Sequence, residues 1–306
     1  MIRAVVLGAG AGGGFPQWNS GGAGCRRARA GDPACRPRTQ CGLAVTGDDR
    51  HWFLVNASPD LPQQLRECAM LHPAGGVRSS PVAGVVLCGG EVDAVAGLLS
   101  LRERHPFRLH ATAPVLSLLD ANPIFEVLDR AIVSRHAEMP DEPFPLRAPD
   151  GTPAGLTATL FAVPGKAPLY REAEAGIEVG GDGTSAGLAL SDGTATLFFV
   201  PGCAAMTPAL RERLRGAALL LFDGTLWDDE EMRRGGLGPK TGRRMGHMPV
   251  SGPGGTLDVF ADGGAGRRVL IHLNNSNPLL QDDSPERAEA ARAGWEVAFD
   301  GMELVL

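Results

Sequence analysis

The chain has 306 residues, 43% hydrophobic and 21% charged, a balance that suits a globular protein with a large core. A formal net charge of -6 without any cluster of Lys and Arg excludes a nucleic-acid partner held through its phosphates. No positive leader and no run approaching the roughly 18 apolar residues of a membrane span is present, so a cytoplasmic protein without a membrane partner is expected.

In chain order, the first predicted element is the apolar run "RAVVLG", followed by Gly8, Gly10 and Gly13 at the GxGxxG spacing of a dinucleotide site. Such a site needs a helix directly after the turn to hold the pyrophosphate. Gly12, Gly13, Gly14 and Pro16 oppose one here, so the stretch reads as a strand and a glycine-rich loop packed closely against its surroundings. Further short apolar runs bounded by turn residues predict strands at "GLAVTG", "WFLVNA", "GVVLCG", "FRLHAT", "LTATLFAVPG", "AGLALS", "ATLFFVPG", "ALLLFDG", "RRVLIHLN", "WEVAFDG" and "MELVL". Helical patterns lie between them: "SPDLPQQLRECAML" with Ser58 or Asp60 as cap, "VDAVAGLLSLRERH", "APVLSLLDANPIFEVLDRAIV", "TPALRERLRGA", and "SPERAEAARAG" with Ser284 as N-cap and Pro285 at the first helical position. Together they predict an α/β protein of two packed sheets flanked by helices. No linker marks a boundary, so a single domain over 1–306 is expected.

Four predicted strand ends carry polar chemistry: "CGGEVDAVAGL", "DGTLWDDEEM", the loop "GPKTGRRMGHM", and "HLNNSNP". Sites are commonly assembled from such loops at one edge of a rigid sheet. The candidate metal ligands are Glu91, Asp93, Asp223, His247 and His272, with Asp223 and His247 as candidate catalytic groups. Asp93 also fits a helix cap, Asp223 a turn, and His272 a hydrogen-bonded core position. Arg244, Lys166, Asn274 and Asn275 are candidate substrate contacts. Cys203 reads as a small buried hydrophobe. Cys25, Cys35, Cys41, Cys68, Cys88 and Cys203 read as free thiols. His51, His72, His105, His110 and His136 read as lying beside turns, helix ends or solvated segments, and none is assigned to a site.

The strand-end segments resemble the metallo-β-lactamase superfamily. Over nearly the whole chain, the sequence is more closely similar to the pyrroloquinoline quinone (PQQ) biosynthesis protein B family. The resemblance rests on "GAGAGGGFPQWN", "RTQ" at Arg38 to Gln40, "NASPDL", "VDAVAGLLSLRE", "VPGK", "VPGC", "FDGT", "KTGRRMGH", "HLNNSNP", "SPERA" and "DGMEL". It implies a metallo-β-lactamase-like four-layer αββα sandwich and a part in making PQQ from a peptide-derived precursor. It further implies iron (Fe2+) and hydroxylation of a tyrosine in that precursor. Carriage or transport of PQQ or its precursor by a non-catalytic binding protein is the other expectation. A homodimer is left open.

The sequence departs from the family pattern at the metal motif. The HxHxDH positions of the superfamily fall on Gly89 to Ala94, so Asp93 is kept while Ala94 stands where the quinone family has His. Two histidines and one carboxylate suffice to hold Fe(II), and Asp93, His247 and His272 supply them, backed by Asp223 or Glu91. The CxCxxC-type zinc positions read Ser20, Gly22 and Cys25, and one thiolate cannot hold a structural zinc, so none is expected.

Overall fold

Alternation along the strands decides the architecture. In β1 (Arg3–Gly8), Ala4 and Val6 enter one apolar core while Val5 and Leu7 enter another, so the strand is buried on both faces. The computed structural model describes residues 1–171 and 184–306. Among these, β1 lies in a seven-stranded sheet with β2 (Gly42–Thr46), β3 (Trp52–Val55), β4 (Val82–Val86), β5 (Phe107–Thr112) and β6 (Val133–Glu138). A second seven-stranded sheet holds β7 (Phe144–Arg147), β8 (Pro153–Ala162), β9 (Ala186–Ser191), β10 (Thr196–Val200), β11 (Ala217–Asp223), β12 (Ala265–Ile271) and β13 (Glu296–Val297). The last strand, β14 (Glu303–Val305), returns to the first sheet beside β1.

Each sheet is half antiparallel and half parallel. The parallel pairs are β3 to β6 in one sheet and β10 to β13 in the other. The inner core between the sheets takes Val6, Leu43 and Phe53 from the first and Leu188, Phe199 and Leu221 from the second. Outside the first sheet pack Leu61, Leu98, Val115 and Leu119 from helical segments. Outside the second pack Leu210, Leu214 and Ala290. The result is the expected four-layer αββα sandwich.

The structure differs from the sequence reading in several local places. The long helix expected from Ala113 stops at Asp120, because Pro123 cannot continue it, and a 3-10 turn Pro123–Val127 follows. The remainder of that stretch leads into the strand β6, whose half-exposed, polar face hides its period; β7, a short edge strand carrying Pro145, was also not expected. "VDAVAGLLSLRERH" forms one α-turn, Val92–Val95, and a 3-10 turn. Ser284 does cap its helix, accepting from the Arg287 N–H at 3.1 Å. Asp60 does not cap with its side chain; its Oδ2 instead accepts from Gln40 N and Nε2. His110 is neither solvated nor at a turn: it is buried in β5, with Nδ1 2.8 Å from Glu138 and its ring stacked on Phe144.

The glycine-rich segment runs into no helix. It crosses the sheet ends as a loop, with Gly10 N–H donating to Thr39 O, Ala11 N–H to Leu273 O and Leu273 N–H to Ala9 O. A Cβ on Gly8 would stand 2.1 Å from Gln40 O, so the close approach admits only glycine there. Asp300 clips this layer to the end of the chain. Its Oδ1 accepts from Ala9 N at 3.0 Å and its Oδ2 from Thr39 N at 2.6 Å. Asp300→Ala strands both donors and should lower unfolding stability by about 1–3 kcal/mol. Urea denaturation checks this: a lower midpoint at an unchanged slope is expected, and a wild-type midpoint contradicts it.

Candidate metal centre

Parallel strands deliver their following loops to one edge, and here the carboxyl ends of β4, β10, β11 and β12 converge. Inward-facing Leu219 and Leu221 in β11 set the parity that sends Asp223 inward as well, to 0% exposure. A buried carboxylate is tolerated only when its oxygens are satisfied. Asp223 Oδ1 accepts from Thr225 N (3.0 Å) and Thr225 Oγ1 (2.7 Å), and Oδ2 accepts from Cys203 N (2.8 Å). The His247 ring completes the set, with Nδ1 2.9 Å from Oδ2.

His272 follows the last residue of β12 and takes a left-handed backbone, φ 62°. That conformation costs a non-glycine residue on the order of 1 kcal/mol. It brings Nδ1 within 2.8 Å of Thr225 Oγ1, which also lies 3.0 Å from His247 Nδ1. Because the Thr225 hydroxyl gives its hydrogen to Asp223, it accepts the Nδ1–H of His272, while the single Nδ1–H of His247 is shared between Asp223 Oδ2 and Thr225 Oγ1. The rings stack with centroids 5.2 Å apart and planes 22° from parallel. Their Nε2 atoms are thereby turned away from Thr225. His272 Nε2 lies 3.2 Å from Asp93 Oδ2.

The charges follow from this contact. Burial works against the charged form of His272, but the hydrogen bond and the charge of Asp93 outweigh it and hold the imidazole above its ordinary value. Burial likewise raises Asp93, while His272 outweighs it and keeps the carboxyl below the usual range. Asp93 is not the cap of its helical turn; Glu91 occupies that position without a side-chain capping bond. Donor atoms of Asp223, His247 and His272 lie within 4.8 Å of one another, and Asp93 adjoins them through His272. This set of two imidazoles and carboxylates suits a divalent transition metal.

The other predicted residues fall into distinct surroundings. Glu91 has Oε1 3.3 Å from Lys166 Nζ and Oε2 accepting from Leu169 N. Ala94 is buried in the apolar core, its carbonyl accepting from Ala57 N. Arg244 is exposed on the loop before His247. Asn274 donates to Ser276 Oγ and Met232 Sδ, and Asn275 donates to Gln17 Oε1, beside His272 in sequence. Cys203 is buried, and so is Cys25, whose Sγ lies 3.7 Å from Asn275 Oδ1; all six cysteines are free. Sequence reasoning missed Thr225, which joins both rings to Asp223, and Asn277, whose amide donates to Gly224 O and Thr225 O and fixes that turn. The only available signal for Thr225 was its place two residues after Asp223, where a hydroxyl can reach back to the carboxylate.

Residues 51–273 match the family model of the beta-lactamase superfamily domain. The chain is 63% identical over 307 aligned positions to coenzyme PQQ synthesis protein B of Gluconacetobacter diazotrophicus, with 99% of each chain covered. It is 52% identical to the protein of that name from Gluconobacter oxydans, covering 99% of this chain and 98% of that one. It superposes on crystalline Zn(2+)-bound PqqB from Methylobacterium extorquens with a TM-score of 0.94 at 45% identity, covering 99% of this chain and 100% of that one. A diphosphatase of the PhnP family, at 18% identity and a TM-score of 0.67 over 99% and 96% of the two chains, shares the fold alone. The chain therefore belongs to the coenzyme PQQ synthesis protein B family, built on the metallo-β-lactamase fold.

Proposed function

We propose that this chain acts in PQQ biosynthesis as a cytoplasmic, iron-dependent hydroxylase of a tyrosine in the peptide-derived precursor. The observation that carries the reading is the pair of stacked imidazoles whose Nδ1 atoms are both tied to Thr225. Each ring keeps Nε2 for a metal, and Asp93 adds a carboxylate oxygen. Asp93, His247 and His272 form the two-histidine, one-carboxylate set that leaves positions open for dioxygen and substrate. Bound Fe(II) supplies the activation of dioxygen. Asp223, its oxygens already engaged, acts through His247 as the carboxylate that fixes the ring and its tautomer. Glu91 is assigned to holding Lys166 rather than to the metal. Lys166 and Arg244 meet the carboxylates of an acidic precursor, with Asn274 and Asn275 lining the approach.

The reading is tested by anaerobic reconstitution with Fe(II) and elemental analysis. Close to one equivalent is expected for the wild type, with at least a tenfold loss of affinity in His272→Ala and Asp93→Ala and little change in Glu91→Gln. Iron content that His272→Ala does not lower would contradict it. Thr225→Val keeps the shape of the side chain and removes the hydroxyl that orients both rings. A loss of metal affinity of about 10–100-fold is expected with the fold retained, as is typical for groups that orient ligands. Wild-type affinity in this variant, measured by competition with a chromophoric chelator, would remove Thr225 from the account.

The pH dependence has a definite sign. In the metal-free protein the raised His272 and lowered Asp93 stabilise the fold between their two pKa values. The contribution is lost as pH falls through that of Asp93, and again as pH rises through that of His272. A metal must displace the proton from His272 Nε2, so affinity should climb as pH passes the raised value. In Asp93→Asn the two largest influences that raise His272 are lost while burial still lowers it, so histidine NMR of the metal-free protein should find His272 titrating below its wild-type position. An unchanged titration would show that Asp93 does not control the ring.

A further inference from the structure

A half-buried carboxylate outside the ligand set ties together the loops that follow β11 and β12. Glu231 opens the short helical turn Glu231–Arg234 in the loop after β11. Its Oε2 accepts from Trp227 N at 2.7 Å, and its Oε1 accepts from the hydroxyl of Ser276, on the segment that follows His272. Ser276 Oγ in turn accepts from Asn274 Nδ2, and Asn274 Oδ1 accepts from Asn275 Nδ2 at 3.3 Å. The same Asn275 nitrogen donates to Gln17 Oε1 beyond the glycine-rich turn. Asn274 N–H also donates to Thr225 O at 3.0 Å, so the row rests on the turn whose hydroxyl holds both rings.

The row has one sense, and Glu231 sets it. An ionised carboxylate only accepts, so Ser276 must give it its single hydrogen and keep its oxygen for an N–H. That requirement turns the Asn274 amide nitrogen towards Ser276 and the amide oxygen towards Asn275, which must then present nitrogen to Asn274 and to Gln17. A hydroxyl or a primary amide serves as donor or acceptor, so these four side chains cannot fix the direction by themselves. Burial lifts the Glu231 carboxyl to about 7 against the pull of the Ser276 and Trp227 donors, with Asp228 adding to the rise. Above neutrality it is therefore the acceptor that the row requires.

We propose that Glu231 is a positioning residue of the centre: as the acceptor-only end of this row, its carboxylate fixes which way the amides of Asn274, Asn275 and Gln17 face, and so seats the segment after His272 on the Thr225 turn. The proposal rests on the metal-centre reading above for its effect on metal, whereas the sense of the row belongs to the metal-free chain. With Gln at position 231 the side chain keeps its size but carries an amide that donates. Ser276 is then released from giving its hydrogen there, and Asn274 from presenting its nitrogen. Removing the Ser276 hydroxyl cuts the row while leaving the carboxylate in place. Both changes lie outside the ligand set and act by one path, so their effects should not add.

The test uses the full chain, first metal-free at about pH 8 with the side-chain amides of Asn274 and Asn275 followed by NMR, then titrated anaerobically with Fe(II) against a chromophoric chelator. Glu231→Gln should shift both amide resonances and speed their hydrogen exchange at least tenfold, and Ser276→Ala should do the same. Either variant should bind Fe(II) about five- to tenfold more weakly, as expected of a group that acts on the ligands through others. Combining the two should change exchange and affinity less than twofold further. Ser284→Ala removes a helix cap outside the row, reports a purely structural loss, and should leave both readouts within twofold of the wild type. Unmoved amides in Glu231→Gln, losses that add in the double variant, or wild-type Fe(II) affinity in both single variants would each overturn the proposal. A wild type whose iron content His272→Ala does not lower would overturn the metal centre itself, and the amide result, obtained without metal, tells the two failures apart.

Discussion

A carboxylate with no solvent exposure, at the end of an apolar strand, is the constraint from which the centre is built. Asp223 is carried inward by the same alternation that buries Leu219 and Leu221, and removing a charge from water without partners would cost several kcal/mol. Its donors come from the turn after β10, from the residue two positions on, and from the loop that carries His247. Satisfying Asp223 therefore fixes the position of three segments at once. The Thr225 hydroxyl extends this order to His272 by accepting from the ring that Asp223 does not reach. Ring orientation follows from the fold's need to satisfy a buried charge, which makes the arrangement rigid before any ligand arrives.

A second layer of order lies over the first. The glycine-rich loop pairs with Leu273, directly after His272, and with Thr39, and Asp300 ties Ala9 and Thr39 to the end of the chain. The N-terminal loop thus joins the "RTQ" segment, the turn before β14 and Leu273, the residue after His272. Burial lifts the Asp300 carboxyl to about 6 even though two backbone N–H groups donate to it. The loop that looks in sequence like a phosphate cradle is instead a lattice of backbone hydrogen bonds roofing one side of the centre.

Much of this was legible from residue order. Strong runs such as "ALLLFDG" and "RRVLIHLN" announced both the central parallel strands and the polar groups at their ends, because a buried strand must deliver its last residues to one edge. The convergence of Asp93, Asp223, His247 and His272 could be expected on that basis together with the family resemblance. Thr225 was not legible, since a lone threonine after Asp-Gly has no periodic signature and its importance lies in contacts 22 and 47 positions away. The edge strands β6 and β7 escaped for a related reason: half-exposed strands with polar or proline residues give no clean alternation, and pairing with a neighbour decides their form. The contact of Glu91 with Lys166 was not legible either, since its partner is 75 residues distant. Ala94, one residue after Asp93, lies in the apolar core with its methyl packed there.

The central claim is that one metal sits at the Nε2 atoms of His247 and His272 beside Asp93, with Asp223 behind His247. Anomalous diffraction at the iron edge from crystals grown anaerobically with Fe(II) tests it most directly. A single peak bonded to both Nε2 atoms and to an Asp93 oxygen, with Asp223 still accepting from Cys203 and Thr225, is the predicted result. A peak bound by Asp223 in place of Asp93, or lying away from the two rings, would contradict the account.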